Sequence, residues 1–487
     1  MATFVALDAS SGAPLHRQLY DALRRAIIDG HWRAGSRVPS SRLLAEQLDV
    51  SRNTVMSAFE QLLSEGYLVG KVGSGTYVAD ELPERALSAG RQAAGAPVEP
   101  VVFLSARGAA LTAMASPFLG PAPQAGGSMA FRVGTPALDR FPAELWGRLM
   151  VKRWTRSADA IVGHSDPRGY GPLREAVADY VTTARGVRCE PDQVLIVSGS
   201  QQAMTLAAEV LLDPGDAVWM EDPGYVGARG ALVAAGASIV PVPVDAEGID
   251  VDAGIERGGE ARLAVVTPAH QLPLGVPLSH ARRVALLAWA RRREAWIFED
   301  DYDSELRYSG RPLAALQGME GGGRVIYSGT FSKVLSPSLR LAYLIVPRPL
   351  LGAFLAAKAF ADMRSPALEQ AVLADFIAQG HFARHIRRMR VLYARRQAIL
   401  LERARQDLAG LLELHPASAG MHLVGWLGPG QDDVEVSRRA RAAGVYVLPL
   451  SMLRVASTGR GGLLLGYAAV PEAQIAEGVR RLRDALR

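Results

Sequence analysis

Only four lysines, Lys71, Lys152, Lys333 and Lys358, stand among the 54 Lys and Arg residues of the chain, so chemistry that needs an amine has few places to sit. The run Gly-Thr-Phe-Ser-Lys-Val-Leu-Ser-Pro-Ser-Leu-Arg (329–340) sets Lys333 three residues after Thr330 and seven before Arg340. A lysine amine condenses with an aldehyde to a Schiff base, and the hydroxyls of Thr330 and Ser332 with the guanidinium of Arg340 are groups that hold a phosphate. The run therefore suits a phosphate-bearing aldehyde. A second run, Ile-Phe-Glu-Asp-Asp-Tyr-Asp (297–303), ends an apolar stretch in a polar cluster. On a strand, residues two apart share a face, which points Asp300 and Tyr302 together and Asp301 and Asp303 away. A buried carboxylate keeps the pyridine nitrogen of pyridoxal phosphate protonated, and a tyrosine hydroxyl alongside can bond the ring's phenolic oxygen. The carboxylates Glu299, Asp300, Asp301 and Asp303 also suit an oxygen-rich Mg²⁺ or Ca²⁺ site, a reading that leaves Lys333 and Arg340 without a purpose.

Two further segments fit the aldehyde reading. The segment Val-Ser-Gly-Ser-Gln-Gln (197–202) reads as a strand, a glycine turn and a helix start, whose free N–H groups near Ser200 and Gln201 can receive a phosphate. Tyr225, in Glu-Asp-Pro-Gly-Tyr (221–225), offers a ring to stack on a flat cofactor, or is simply a core tyrosine. His164 and His270 taken alone read as structural, and the single cysteine, Cys189, reads as sitting at an element boundary. One cysteine excludes an internal disulfide and a multi-cysteine metal site, and suits a reducing compartment.

The elements that must position these residues differ in texture along the chain. At about 150 residues per domain, 487 residues allow about three folding units. From about Phe131 onward, continuous apolar runs (194–198, 263–267, 295–300, 324–328) alternate with amphipathic stretches, the pattern of a mainly parallel sheet covered on both faces. Residues 81–126, rich in Ala, Gly, Pro and Ser, read as a linker between a head at 12–80 and a large domain at 127–487. The head is α+β in pattern. Helices are expected over 15–29, from Ser40 or Ser41 to Leu48, and from Ser51 to Ser64, with Ser40/Ser41 and Ser51 as N-caps and only Leu-Asp-Val-Ser (48–51) joining the last two. Two strand-like runs, 67–69 and 76–78, then enclose a glycine-rich turn, giving a winged helix-turn-helix. Helix three would present Ser51, Arg52, Asn53 and Thr54 to a DNA major groove, Arg42 would clamp a phosphate, and Lys71 with the backbone of Gly73 and Gly75 would follow the neighbouring strand or minor groove. A formal charge of +5 is too mild to argue for DNA alone. No apolar run approaches the roughly 20 residues of a membrane span, so the protein is expected to be soluble and cytoplasmic.

The run 34–55, continued by Leu-Ser-Glu-Gly-Tyr-Leu and by Gly-Ser-Gly-Thr-Tyr-Val (73–78), resembles the GntR-type winged helix. The segments around Lys333 and Asp300, together with 141–146, 166–174, 267–275 and 463–468, resemble fold-type I aminotransferases, and more closely the MocR/GabR group of regulators. That resemblance implies a bacterial transcription regulator carrying pyridoxal phosphate on Lys333, with Asp300 at the ring nitrogen, Tyr302 at the phenolic oxygen, Tyr225 on a ring face, and Ser200, Gln201, Thr330 and Arg340 around the phosphate. It implies double-stranded operator DNA and an amino compound or the vitamer itself as partners, and a homodimer in which each head rests on the other chain's large domain. Two positions depart from working aminotransferases. Leu272 precedes Pro273 and Gly275 where an asparagine is usual, and Leu464 stands where an arginine usually grips the substrate carboxylate, leaving Arg454 or Arg460 as substitutes. His164 stands where relatives often have a tyrosine lent to the partner subunit's site. The leading expectation is a ligand-responsive regulator; the alternatives are an active aminotransferase whose DNA-binding head is secondary, and a DNA-binding protein with an empty large domain.

Overall fold

The computed structural model describes residues 7–8, 11–71, 74–83, 103–114, 130–156, 163, 166–310, 313–320 and 323–487. The chain divides into two compact units, one ending at Phe103 and the other beginning at Leu104. Among the described residues no helix is long and apolar enough to cross a membrane.

The described residues of the first unit include three helices and a hairpin. Helix α1 (Leu15–Ile28) buries Leu19, Tyr20, Leu23, Ala26 and Ile27, a stripe at helical spacing. Helix α2 (Ser41–Leu48) starts where the Ser40 side chain accepts a hydrogen bond from Leu43 N, and α3 (Arg52–Ser64) starts where Ser51 accepts one from Thr54 N. Each serine satisfies a backbone donor that the first helical turn leaves without a partner. Asp49, at φ 52°, turns the chain sharply between the two helices. Strands β1 (Leu68–Lys71) and β2 (Gly75–Val78) pair antiparallel, from Leu68 opposite Val78 to Lys71 opposite Gly75. Leu19, Leu23, Val55, Leu62 and Leu68 meet in one small core. A fully buried aliphatic side chain of this kind contributes about 1.5–3 kcal/mol, so few residues hold the unit together.

The second unit is built on an eight-stranded sheet. Its strands are β3 (Val194–Val197), β4 (Ala217–Asp222), β5 (Ser238–Asp245), β6 (Gly248–Ile249), β7 (Leu263–Val266), β8 (Trp296–Asp301), β9 (Val325–Thr330) and β10 (Ala342–Ile345), in spatial order β3-β10-β9-β8-β7-β4-β5-β6. From β9 to β5 all pairings are parallel; β10, between β3 and β9, runs against both, and β6 runs against β5. Strands β7, β9 and β10 inside the sheet, and β3 at its edge, are buried along their whole length, as strands covered on both faces require. A second, antiparallel sheet that the periodicity of the sequence did not announce follows: β11 (Leu412–Leu414), β12 (His422–Leu427), β13 (Leu448–Pro449) and β14 (Gly462–Gly466), in order β11-β12-β14-β13. Of the stretch read as linker, 104–114 belongs to the second unit and includes a helix, Ala106–Ala113, packed against the helix Val226–Ala235. The residues expected to do chemistry all follow or end strands of the large sheet at its carboxyl edge, where open α/β sheets bind ligands.

Candidate cofactor site and nucleic-acid interface

Strand β8 delivers Asp300 to the carboxyl edge. The carboxyl is buried, its Oδ1 has no hydrogen-bond partner among the described residues, and burial first, then the neighbouring Asp301, pushes it up to about 7. Lys333 Nζ interacts electrostatically with Asp300 and donates to the carbonyl oxygen of Gly134 at 3.0 Å. Burial lowers the amine below the ordinary lysine range, and Asp300 and Asp303 oppose that shift. A lysine that gives up its proton more easily is a better nucleophile toward a carbonyl carbon. Gly134 sits at φ +75°, a backbone conformation that favours glycine, and a Cβ there would stand 2.9 Å from Nζ. Gly134 carried no signal in the sequence.

The anion cradle is assembled from three segments. Antiparallel pairing sets Thr330, the last residue of β9, opposite Ala342, which brings the two ends of the loop 331–341 together. Thr330 Oγ1 accepts from Ser332 N at 3.2 Å, and Arg340, at φ 51°, aims its guanidinium at Gly199, where a Cβ would lie 3.3 Å from it. Gly199 caps the helix Ser200–Leu211, whose first N–H groups have no intrahelical acceptor. Arg340, Thr330 and this helix end together can bind a phosphate. The Gln201 side chain donates to Gly227 O at 2.9 Å, so only its backbone N–H is offered to an anion. Tyr225 is half-buried, its hydroxyl pushed up to about 12 by burial and then by Asp300. Gly227 lies beneath the ring, with the position of a Cβ only 2.4 Å from Tyr225 Cζ. Tyr225 and Asp300 line one small cavity with Met220, Glu221, Ala228, Val265 and Thr267.

Tyr302 lies just beyond β8, and here the alternation expected from the sequence fails. The strand ends at Asp301 and the chain turns, so Asp303 comes to the same side as Tyr302: His270 Nδ1 lies 3.0 Å from Tyr302 Oη and 2.9 Å from Asp303 Oδ2. His270 is therefore part of the site and not an isolated core histidine. Its Nε2 is buried without a partner among the described residues, and the ring is gripped by Gly275 and Gly420. Behind it, burial and then His270 hold His422 down to about 4, a neutral ring whose Nε2 sits 3.0 Å from Pro273 O. Glu221, pushed up to about 7 by burial, accepts from Thr267 N, Thr267 Oγ1 and Gln271 Nε2 beneath Asp300.

The four carboxylates of the alternative cation site do not converge. Glu299 accepts from Leu316 N and Gln317 N, Asp301 pairs with Arg185 at 2.7 Å, Asp303 faces His270, and Asp300 faces Lys333. Among the described residues no cluster of three or more His, Cys, Asp and Glu is placed to hold a metal ion. Cys189 is half-buried with its thiol pushed up to about 11 by burial, which keeps it unreactive.

On the first unit, Arg42, Ser51, Arg52 and Asn53 are exposed and Thr54 is half-buried. The Ser51 and Thr54 hydroxyls bond each other at 2.8 Å, which occupies both in capping α3 and leaves Arg52 and Asn53 as the free reach of the helix start. Lys71 Nζ lies over the Tyr77 ring, 4.9 Å from its centroid. Arg37, which sequence reasoning passed over, packs against Gly75 at the same hairpin, with a Cβ there only 2.9 Å from its Nε. Gly73 and His164 lie outside the described residues.

Comparison with known proteins identifies both units. Residues 15–78 match the bacterial regulatory proteins of the gntR family, and residues 148–482 match aminotransferase class I and II. The chain is 41% identical over 481 residues to the probable rhizopine catabolism regulatory protein MocR of Rhizobium meliloti, covering 98% of this chain and 95% of that one. The chain belongs to the MocR-type family of GntR-related transcription regulators. Within that family it is 30% identical over 485 residues to the pyridoxine biosynthesis transcriptional regulator PdxR of Corynebacterium glutamicum, covering 99% and 98% of the two chains. The large unit of this MocR-type chain is similar to the solved α-aminoadipate aminotransferase LysN of Thermus thermophilus, with a TM-score of 0.69 and 32% identity over 74% of this chain and 92% of that one. Against that aminotransferase background, both substitutes for the carboxylate-gripping arginine are engaged elsewhere. Arg454 donates to the carbonyls of Gly459 and Arg460, and Arg460 donates to Leu427 O and pairs with Glu413 at 2.6 Å.

Proposed function

We propose that the large unit of this regulator holds pyridoxal phosphate through Lys333, that the vitamer or an amino compound condensing with it is the effector, and that a homodimer places two winged helices on two operator half-sites. One observation carries the cofactor reading: a buried carboxylate oxygen without a partner, on Asp300, beside a lysine amine that burial makes nucleophilic. Such an oxygen costs stability until a donor reaches it, and a protonated ring nitrogen is the donor it suits. When bound, the cofactor supplies an electron-withdrawing ring and a reactive carbonyl carbon. The residues of this chain do the rest. Asp300 keeps the ring nitrogen protonated, Tyr302 bonds the phenolic oxygen and is itself set by His270, Tyr225 covers a ring face, and Arg340, Thr330, Ser332 and the amide end at Ser200 and Gln201 hold the phosphate. In the head, Arg52 and Asn53 reach base edges while Arg42, Lys71 and the hairpin backbone hold phosphates.

An effector moves the heads only by binding one arrangement of the dimer better than another. The decisive experiment incubates full-length protein with pyridoxal phosphate, reduces it with borohydride and weighs it. Covalent addition of one cofactor per chain, mapped to the peptide carrying Lys333 and absent from Lys333→Ala, is the expected result. Labelling at another lysine, or none at all, overturns the assignment.

A further inference from the structure

The hairpin of the head has a third segment beside it. Residues 35–38 run antiparallel along β2: Gly35 N donates to Val78 O at 3.1 Å, Val78 N to Ser36 O at 2.9 Å and Val38 N to Thr76 O at 2.9 Å, with Arg37 opposite Tyr77. Tyr77 in turn lies opposite Val69 of β1, so Arg37, Tyr77 and Val69 form one row across three segments. Alternation separates the two faces. Val38, Val78 and Leu68 are buried in the small core of the head. On the outer face Arg37, Val69 and Lys71 are exposed and Tyr77 is half-buried. Two cations share that outer face. Lys71 Nζ leans over the Tyr77 ring, and Arg37 reaches toward Gly75, the residue paired with Lys71. A Cβ on Gly75, at φ +111°, would crowd the guanidinium, at 2.9 Å from Arg37 Nε and 3.2 Å from Nη2. The three segments contain no acidic residue, and among the described residues neither cation is paired with a carboxylate.

We infer that Arg37 is a DNA contact: from the outer face of this three-segment wing its guanidinium holds a backbone phosphate beside the one that Lys71 takes. The inference rests on the reading of the head given above. It adds a residue that lies outside the hairpin and ahead of both helices of the helix-turn-helix. Two like charges on one small face repel until an anion neutralises them, and the planar fork of an arginine fits phosphate oxygens two at a time. A phosphate contact fixes the register of the head on the duplex and carries no sequence preference, so Arg37 is a positioning residue for the base contacts of Arg52 and Asn53.

The test uses full-length protein, a duplex that it selects from a random-sequence pool, and a scrambled duplex of the same length. Affinity is followed by fluorescence anisotropy over a series of salt concentrations. Arg37→Ala is expected to weaken binding to both duplexes alike, by roughly tenfold per head for one charge-assisted bond. The slope of log affinity against log salt should flatten by about 0.9 for each head bound. Arg37→Lys keeps the charge without the fork, and should restore the slope while affinity returns only in part. Unchanged affinity and slope in Arg37→Ala, with Arg52→Ala still weakening binding, overturns the inference and leaves the reading of the head standing. Wild-type protein that selects no duplex overturns both. A loss confined to the selected duplex overturns the phosphate assignment, and so does a fall in melting temperature large enough to account for the loss. Gly75→Ala should cost less affinity in the Arg37→Ala background than in wild type, because backbone strain at Gly75 is common to both and cancels. Equal losses in the two backgrounds overturn the seating of Arg37 against Gly75.

Discussion

The two units of this regulator put their functional residues in opposite physical settings. In the head, Arg42, Arg52 and Asn53 stand exposed on helices whose ends are fixed by serines one or two residues away. In the large unit, Asp300, Tyr302 and His270 are buried, and several carboxyls there are pushed far from their ordinary range. The head works by presenting groups that remain in water until DNA arrives. The large unit holds groups away from water at a cost in stability, which on the proposed reading is recovered when a ligand supplies the missing partners. Local chain geometry is enough for the first and long-range assembly is needed for the second, so damage to the two should separate.

The largest expected effect tests that separation. Leu62 is fully buried in the small core of the head. Leu62→Ala should cost that unit about 2–5 kcal/mol. Operator binding in a gel shift should fall with it, while cofactor uptake by the large unit stays at the wild-type level. A parallel loss of cofactor would show that the two units do not fold independently.

Next in size is Asp300→Asn. In the empty protein Asp300 holds its proton up to about 7 against an ordinary value of 3.8. The folded chain therefore binds a proton that the unfolded chain has released, and stability falls as pH rises through that window. Glu221, Glu299 and Glu305, each pushed up to about 7 mainly by burial, add to the same slope. Asparagine cannot ionise, so the variant without cofactor should melt higher than wild type near pH 8, by an amount on the order of a few kcal/mol. It should also retain pyridoxal phosphate less well. A variant that melts lower than wild type near that pH would remove burial of Asp300 as the source of the cost.

How much was legible follows the same division. The starts of α2 and α3 could be read because Ser40 and Ser51 act on donors three residues ahead. The parallel strands could be read because burial on both faces leaves uninterrupted apolar runs. Lys333, Asp300 and Arg340 stood out as candidates because lysine is scarce and a carboxylate at the end of an apolar strand is costly unless used. Gly134 could not, since its role is to let a carbonyl approach a lysine 199 residues away. His270 was set aside as structural because its partners, 32 and 33 residues later, share its side only after the chain turns at Asp301. The antiparallel sheet was missed because two of its strands are only two and three residues long, too short to show a period.

Arg52→Ala sharpens the comparison from the DNA side. If Arg52 reads a base edge, the loss is about 1–3 kcal/mol and discrimination relaxes at that base pair; if it only holds a phosphate, every sequence weakens alike. Gel shifts on operator and scrambled DNA at two salt concentrations separate these outcomes, and unchanged affinity for both removes Arg52 from the interface.

The smallest effect probes the assumption that the head is organised locally. The Ser51 hydroxyl accepts from Thr54 N at 3.1 Å and bonds the Thr54 hydroxyl at 2.8 Å. Ser51→Ala removes one satisfied donor at the start of α3 and should lower the stability of the head by about 1 kcal/mol. Ser51→Asp keeps an acceptor at the cap and should restore that stability, yet it sets a negative charge beside Arg52 where DNA phosphates approach. If Ser51 serves only as a cap, the aspartate variant melts like wild type while binding DNA more weakly, and the alanine variant shows the reverse balance. Should the alanine variant lose far more operator affinity than its melting temperature accounts for, Ser51 would itself be a DNA contact, and the division between capping serine and reading arginine would have to be redrawn.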